Sequence, residues 1–457
     1  MEMVAKQQQD LKRGLTSRHV QMIAIGGAIG TGLFLGSGTA IKSAGPALIV
    51  AYLITGIFSY LMMRAVGELL LSDLHLHSFI DFVREYLGDR WEFAIGWAYW
   101  LSWASLAMAD LTASGIYLRF WFPALPQWVT PLIVVAILVT FNLINVAWFG
   151  ELESAFSSIK IFAILALIVA GVWMIAVGFH TQGNTASLTN LVSHGGFFAT
   201  GVWGFILAFP MVIFAFTGIE MVGLTAGETR DPQTDIPKAI NSVPVRILLF
   251  YVGSMIVIMS VYPWNEINPN QSPFVQIFSG LGIKFAANLI NFVVLTAALS
   301  AANSAIFSTS RTLYILGRNG QAPKVFSKLS RANVPYVGIL VSSVVFLGIV
   351  LLNYFFPSKI FVLITGVATI SFIFVWLIIM LTHIKFKQAT VGQPATFAMP
   401  WFPITSYVTI AFYVAILIVL LFDQATRISV IATVIFFMAL VVGYRYWNKK
   451  KQTEKIS

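Results

Sequence analysis

Apolar runs of about twenty residues recur along nearly the whole chain, and they leave it few ways to fold. A backbone inside hydrocarbon finds no water for its N–H and C=O groups, so only helices and closed barrels can cross. Each run is near the ~20 residues a helix needs to cross hydrocarbon. They predict helical spans at 20–42, 46–70, 94–119, 129–148, 156–178, 203–226, 243–263, 283–309, 336–354, 359–383, 405–422 and 428–446. The fold class expected is an all-α integral membrane protein of about twelve transmembrane helices. Composition agrees: 58% of residues are hydrophobic and 10% charged, whereas soluble domains carry about 25% charge.

The net charge of +10 could suggest nucleic acid, but the basic residues follow the loops. Placed on alternate sides of the spans, Lys42, Arg119, Lys284, Lys359 and Arg427 fall on one side, and Arg64 and Lys160 fall inside spans. All other Lys and Arg residues share the opposite side. By the positive-inside rule both termini are cytoplasmic, and the basic surplus meets membrane lipid headgroups rather than nucleic acid. With no cysteine and six scattered histidines, the sequence offers no disulfide, no metal motif and no thiol chemistry. No cofactor is expected. Trp97, Trp100 and Trp103 open the third span and suggest part of an aromatic belt.

Within the first span, the stretch 26–38 (GGAIGTGLFLGSG) is six-thirteenths glycine. Each interior glycine costs a helix about 1 kcal/mol relative to alanine, so the stretch predicts a break. The sixth span carries a second Thr-Gly pair in Phe214-Ala215-Phe216-Thr217-Gly218-Ile219-Glu220. Irregular backbone at membrane depth is tolerated only where protein or a watery cavity satisfies it. Two interrupted spans in corresponding halves point to a secondary transporter with inverted repeats. The organisation expected is a tail at 1–19, a transport core at 20–383 with repeats near 20–180 and 203–383, a loop and two extra helices at 384–446, and a basic tail at 447–457. The basic-free outer loop 180–200 leaves room for a short helix, and loops 227–238 and 311–324 predict ordered turns or short surface helices.

Several motifs in order resemble one family. They are Arg13-Gly14-Leu15-Thr16-Ser17-Arg18-His19-Val20, Ala107-Met108-Ala109-Asp110-Leu111-Thr112-Ala113, Phe216-Thr217-Gly218-Ile219-Glu220, Gly227-Glu228-Thr229, and Asn303-Ser304 leading to Ser308-Thr309-Ser310-Arg311. The chain resembles the amino-acid transporter family of bacterial permeases, in the amino acid–polyamine–organocation superfamily, over about residues 11–450. The resemblance implies five-plus-five inverted helices with two more at the C-terminus, and uptake of a free L-amino acid driven by protons. Many members carry Glu at the third-span acid, where this chain carries Asp110.

A free amino acid is a zwitterion, and broken helices can meet both of its charges. Half-helix N-termini present N–H groups to a carboxylate, and unwound carbonyls accept from an ammonium. Gly30, Thr31 and Gly32 are assigned to the carboxylate, and the carbonyls of Phe214 and Thr217, with Ala28, to the amine. Gly218 belongs to the same break, and Phe216 shapes the side-chain pocket. The competing reading of the glycines is close helix packing through small residues.

Charges inside spans are costly and usually functional. Asp110 either lines the cavity or snorkels to the outer surface. Glu220 either gates or carries a proton, or else pairs with a basic loop residue. Glu68, four residues after Arg64, suggests an intrahelical pair. Lys160 is either a snorkelling anchor or, as the resemblance implies, a fixed cation standing where sodium sits in sodium-coupled relatives. In that role it would load and release a proton, with Ser300 and Ser304 as its partners on the eighth span.

The expected function is amino acid:proton symport, by alternating access, across the cytoplasmic membrane. The substrate is expected to be neutral, since a cationic side chain would want a second acid beyond Asp110. The rivals are an exchanger without proton coupling and a membrane amino-acid sensor, and the sensor is disfavoured because the tails are short. No converging His, Cys or metal cluster suggests an enzyme.

Overall fold

The computed structural model describes residues 29–456, apart from 77, 145, 181–182, 227–228, 281–283, 358 and 393–396, together with residues 16, 18, 21 and 22. The described residues are almost entirely helical. Nine segments, from Gly32–Ser72 to Arg427–Lys449, are long and apolar enough to cross a membrane. The first of these holds two expected spans, and Val129–Ile144 is a shorter apolar helix. Asp89–Leu118 is a full-length helix whose Trp, Tyr and Asp110 content lowers its hydropathy. The chain is a multi-span membrane protein.

Span one is described from residue 29 and runs as a π-helical turn, Gly32–Gly36, continuing into Ser37–Ala44. Gly45 ends it at φ +60°, a conformation that favours glycine. A short 3-10 turn, Gly45–Ala47, carries Pro46 into span two, Leu48–Ser72. Span three is Asp89–Leu118, span four Val129–Ile144 and span five Val146–Ala176. Span six is split into Gly201–Phe216 and Met221–Thr225. Span seven contains a π-turn, Ile247–Val252, ahead of Gly253–Val261. Spans eight to twelve are Lys284–Arg318, Tyr336–Phe355, Ile360–Ala389, Ile404–Phe422 and Arg427–Ile456.

Span three is the hub. It packs along spans eight and ten, and this contact buries Trp103, Tyr99, Phe372 and Trp376. Trp103 is therefore core rather than belt. Trp97 and Trp100 turn their indole N–H groups to Gln321 O and Ser342 Oγ, at 3.4 and 3.0 Å. Protein acceptors take the place of headgroups.

Several elements differ from expectation, among them span eight, which continues past 309 to Arg318. Span five starts ten residues earlier than the hydropathy indicates, so Glu153 lies inside the helix rather than in a loop. Span twelve continues through the expected tail to Ile456, because Lys, Gln and Glu are good helix formers. A surface helix, Phe79–Leu87, precedes span three and is held by a capping box. In it Ser78 Oγ accepts from Asp81 N, and Asp81 Oδ2 accepts from Ser78 N. The loop helices Pro232–Asn241 and Asn190–Ser193 fall where short helices were allowed for.

Candidate functional site

Span six is broken at its Thr-Gly pair, and the described part of span one opens on a bend. In span one the chain bends at Ile29 and Gly30, and the N–H groups of Leu33 and Phe34 both reach back to Gly30 O, at 3.2 and 3.3 Å. The helix restarts at Gly32, which puts the N–H groups of residues 30–32 at a helical N-terminus, where the first donors lack intrahelical acceptors. In span six the helix stops at Phe216. Thr217 is extended (ψ 143°), and Gly218 sits at φ +93°, where a side chain would be strained.

The breaks touch. A Cβ on Gly32 would lie 2.6 Å from Ala215 Cα, so span one approaches span six backbone to backbone. Gly30 is different: among the described residues a Cβ there would meet only Ala301 Cβ, at 3.7 Å. Gly32 thus has the close-packing role, while Gly30 leaves space. The contact sets the N-terminal end of one half-helix beside the C-terminal end of another. Opposite dipole ends therefore converge on one small region.

The C-terminal carbonyls differ in availability. Phe214 O accepts from Thr217 N (3.2 Å) and from Thr217 Oγ1 (2.7 Å), and Ala215 O accepts from Tyr251 OH (2.9 Å). Phe214 O, assigned to the amine from sequence, is thus already doubly engaged. Phe216 is buried and stacks on Tyr251 at 4.7 Å, with Tyr52 at 6.2 Å. Beneath Phe216 lies a cavity of about 20 Å³, bordered also by Met63, Val243 and Arg246. Ala28 lies outside the described residues.

Asp110 does not snorkel. It is fully buried, and Thr31 Oγ1 donates to its Oδ1 at 2.6 Å, which ties span three to the break in span one. Its Oδ2 makes no hydrogen bond among the described residues.

Lys160 is buried as well, and it is not a lone cation: its Nζ lies 3.9 Å from Glu153 Oε1, with Glu153 only 1% exposed. Asp110 acts on the same ammonium electrostatically. Ser300 Oγ donates to Glu153 (2.9 Å to Oε1, 2.8 Å to Oε2), as does Ser304 Oγ (3.1 Å to Oε2). The expected link between spans five and eight is present, but both serines donate to the glutamate rather than serving the lysine directly. A carboxylate is the stronger acceptor, and seven residues of helix put it on the same face as Lys160. Sequence reasoning missed Glu153. That seven-residue spacing was the signal available for it.

The remaining acids find partners far away in sequence. Glu220 is fully buried and takes the indole N–H of Trp376 on Oε2 at 3.1 Å, so its described partner is span ten rather than a basic loop residue. Glu68 does not pair with Arg64. It lies 2.9 Å from His383 Nε2 and 2.8 Å from Lys387 Nζ, and accepts from Met399 N. Arg64 instead reaches Asn241 and Ala398 O, and lies over the Phe397 ring. Helical spacing allows an intrahelical pair, but here tertiary partners with better geometry replace it.

A family model described as amino acid permease matches residues 19–457. The chain belongs to the amino acid permease family. It is 54% identical over 446 residues to "Amino-acid permease AapA" of Bacillus subtilis, covering 97% of this chain and 96% of that protein. It is 46% identical over 455 residues to the "D-serine/D-alanine/glycine transporter" of Escherichia coli K12, covering 98% and 97%. To "Probable threonine/serine transporter YbxG" of Bacillus subtilis it is 45% identical over 447 residues, 97% of each. The permease is a transporter rather than an enzyme.

Proposed function

We propose that the permease imports a small neutral amino acid across the cytoplasmic membrane by proton symport and alternating access, with both termini inside. The observation that carries this reading is the contact of the two helix breaks at Gly32 and Ala215. The N-terminal donors at Gly30, Thr31 and Gly32 take the substrate carboxylate. The ammonium meets the unwound carbonyls after Phe216, with Asp110 Oδ2 as a further acceptor. Gly218 lets the chain turn there. Phe216, stacked on Tyr251, closes the cytoplasmic side. Spans one to five and six to ten act as the inverted repeats, and the half carrying the breaks rocks against a scaffold.

A neutral substrate suits the acids of the site, because the open Oδ2 of Asp110 is taken by the substrate's own ammonium and the other acids already have partners. Asp110 is held by Thr31, Glu153 by two serines and Lys160, and Glu220 by Trp376. A cationic side chain would have to displace one of them. The printed names of two relatives, for D-serine, D-alanine and glycine and for threonine and serine, support a small substrate.

Proton coupling is assigned to the buried group formed by Lys160, Glu153, Ser300 and Ser304. Adding or removing one proton changes the net charge of a site shielded from water, where charge is costly, and so biases the packing of spans five, eight and one. Glu220 is the second carboxylate of the transport path. Proteoliposome uptake of labelled glycine, L- and D-alanine, L- and D-serine, threonine, lysine and glutamate tests the reading, with and without an inward proton gradient. Gradient-dependent accumulation confined to small neutral substrates supports it. Preferred uptake of lysine or glutamate, or uptake indifferent to the gradient, contradicts it.

A further inference from the structure

A groove of about 340 Å³ lies on the outer wall of the bundle, far from the helix breaks. It runs between the start of span three, the middle of span ten and the middle of span twelve. Its deep end is closed by Phe374 and Phe437, with ring centroids 4.5 Å apart. Its shallow end is closed by Phe93 and Tyr444, 5.3 Å apart. Leu440 and Val441 line the wall between, and Arg90 and Arg445 stand at the rim.

The groove is graded along the membrane normal. Phe374 sits near the centre of span ten and Phe437 near the centre of the apolar stretch Arg427–Lys449 of span twelve, whereas Arg90 stands at the start of span three and Arg445 near the end of that apolar stretch, both on the basic side of the chain. From Phe437 to Arg445 the helix rises about 12 Å. Both arginines are exposed, and neither has an ion pair among the described residues. The neighbouring acid does not neutralise them, because Asp89 is taken by Arg84 at 3.1 Å. Span twelve is the most lipid-exposed of the long spans, with 11% of its apolar window buried. An apolar slot in hydrocarbon, capped at headgroup level by two unpaired guanidiniums, matches an acyl chain joined to a phosphate. A soluble anion would use the rim and leave the slot empty.

We propose that this groove binds one anionic phospholipid of the cytoplasmic leaflet, its phosphate between Arg90 and Arg445 and an acyl chain along Phe93, Phe374, Phe437 and Leu440. The lipid would brace span twelve against spans three and ten. The site is independent of the substrate and proton assignments.

Native mass spectrometry of the detergent-purified protein, incubated with phosphatidylglycerol or with phosphatidylcholine of the same acyl chains, tests this. The expected result is one retained phosphatidylglycerol per chain and much weaker retention of phosphatidylcholine. Arg90→Gln and Arg445→Gln should each weaken retention about fivefold, and together about 25-fold. Leu440→Trp, which keeps both charges but fills the slot, should also lose the lipid. Equal retention of the two lipids overturns the proposal. So does unchanged phosphatidylglycerol binding in the double arginine variant or in Leu440→Trp. Displacement of the lipid by millimolar inorganic phosphate would mark the rim as a free-anion site and overturn it too.

Discussion

Glu153 and Lys160 face each other across two turns of span five, 3.9 Å apart, and neither side chain is reached by solvent. Both charges lie at membrane depth, where each alone would cost about 2.5–3.5 kcal/mol or more. Two serine hydroxyls from span eight hold the carboxylate in place. An ion pair buried this way is weak evidence for stability, since apolar replacements of both partners are often neutral. Its better use is as a switch between two packings.

The glutamate half of that pair has its own test. Glu153→Gln keeps the shape of the side chain but removes the charge that faces Lys160, and removing one member of a buried pair costs about 3–5 kcal/mol. Lower thermal stability in detergent is expected, together with weaker gradient-driven uptake. Glu153→Asp should restore part of both. Uptake and stability equal to the parent protein would show that the pair has no consequence.

The two glycines of the first break should respond differently. Gly32→Ala drives a methyl into the Ala215 backbone at 2.6 Å, which calls for movement worth about 1–3 kcal/mol. Gly30→Ala meets only an ordinary contact at 3.7 Å. Thermal inactivation of the purified variants checks this. Gly32→Ala should inactivate at lower temperature, and Gly30→Ala should stay near the parent value. A reversed order would mean that the breaks do not meet as described.

The bond from Thr31 to Asp110 predicts a change in selectivity. Thr31→Val removes a charge-assisted hydrogen bond worth about 1.5–3 kcal/mol and leaves a buried carboxylate short of a donor. Substrate affinity should fall about tenfold or more, and Thr31→Ser should recover most of it. Asp110→Asn should alter the rank order of competing amino acids. Competition assays with the labelled panel read both effects, and an unchanged order would remove Asp110 from the pocket.

Topology is open to direct labelling, because the chain has no native cysteine. Leu188→Cys, on the exposed outer loop, should react with an impermeant thiol reagent added to intact cells. Asn448→Cys should react only after permeabilisation. The opposite pattern would invert the orientation.

Most of the spans were legible because hydrocarbon leaves the backbone no alternative to a helix, so hydropathy alone bounds them to within a few residues. The two breaks were legible for the same reason: glycine clusters at that depth are costly unless irregular backbone is needed. Glu153 was missed despite its spacing to Lys160, because two glutamates close together look like the polar start of a loop. The packing against span eight shows that Glu153 is buried in the helix. The partners of Glu68 and Glu220 were out of reach for another reason. His383 and Trp376 lie 315 and 156 residues away, and no local spacing encodes such contacts. The lipid-facing groove is likewise a product of three separated spans.

The central claim, coupling of amino-acid uptake to protons through the buried pair, is tested most directly by the double variant Glu153→Gln/Lys160→Met in proteoliposomes. Removing both charges leaves neither member of the pair as an uncompensated ion, and the carboxylate and amine contacts on spans one and six stay intact. Exchange of labelled for unlabelled substrate at equal pH should therefore persist near the parent rate, while accumulation driven by an inward proton gradient should fall to the level seen without a gradient. Accumulation that still follows the gradient at the parent level would contradict the account and move the proton to Glu220.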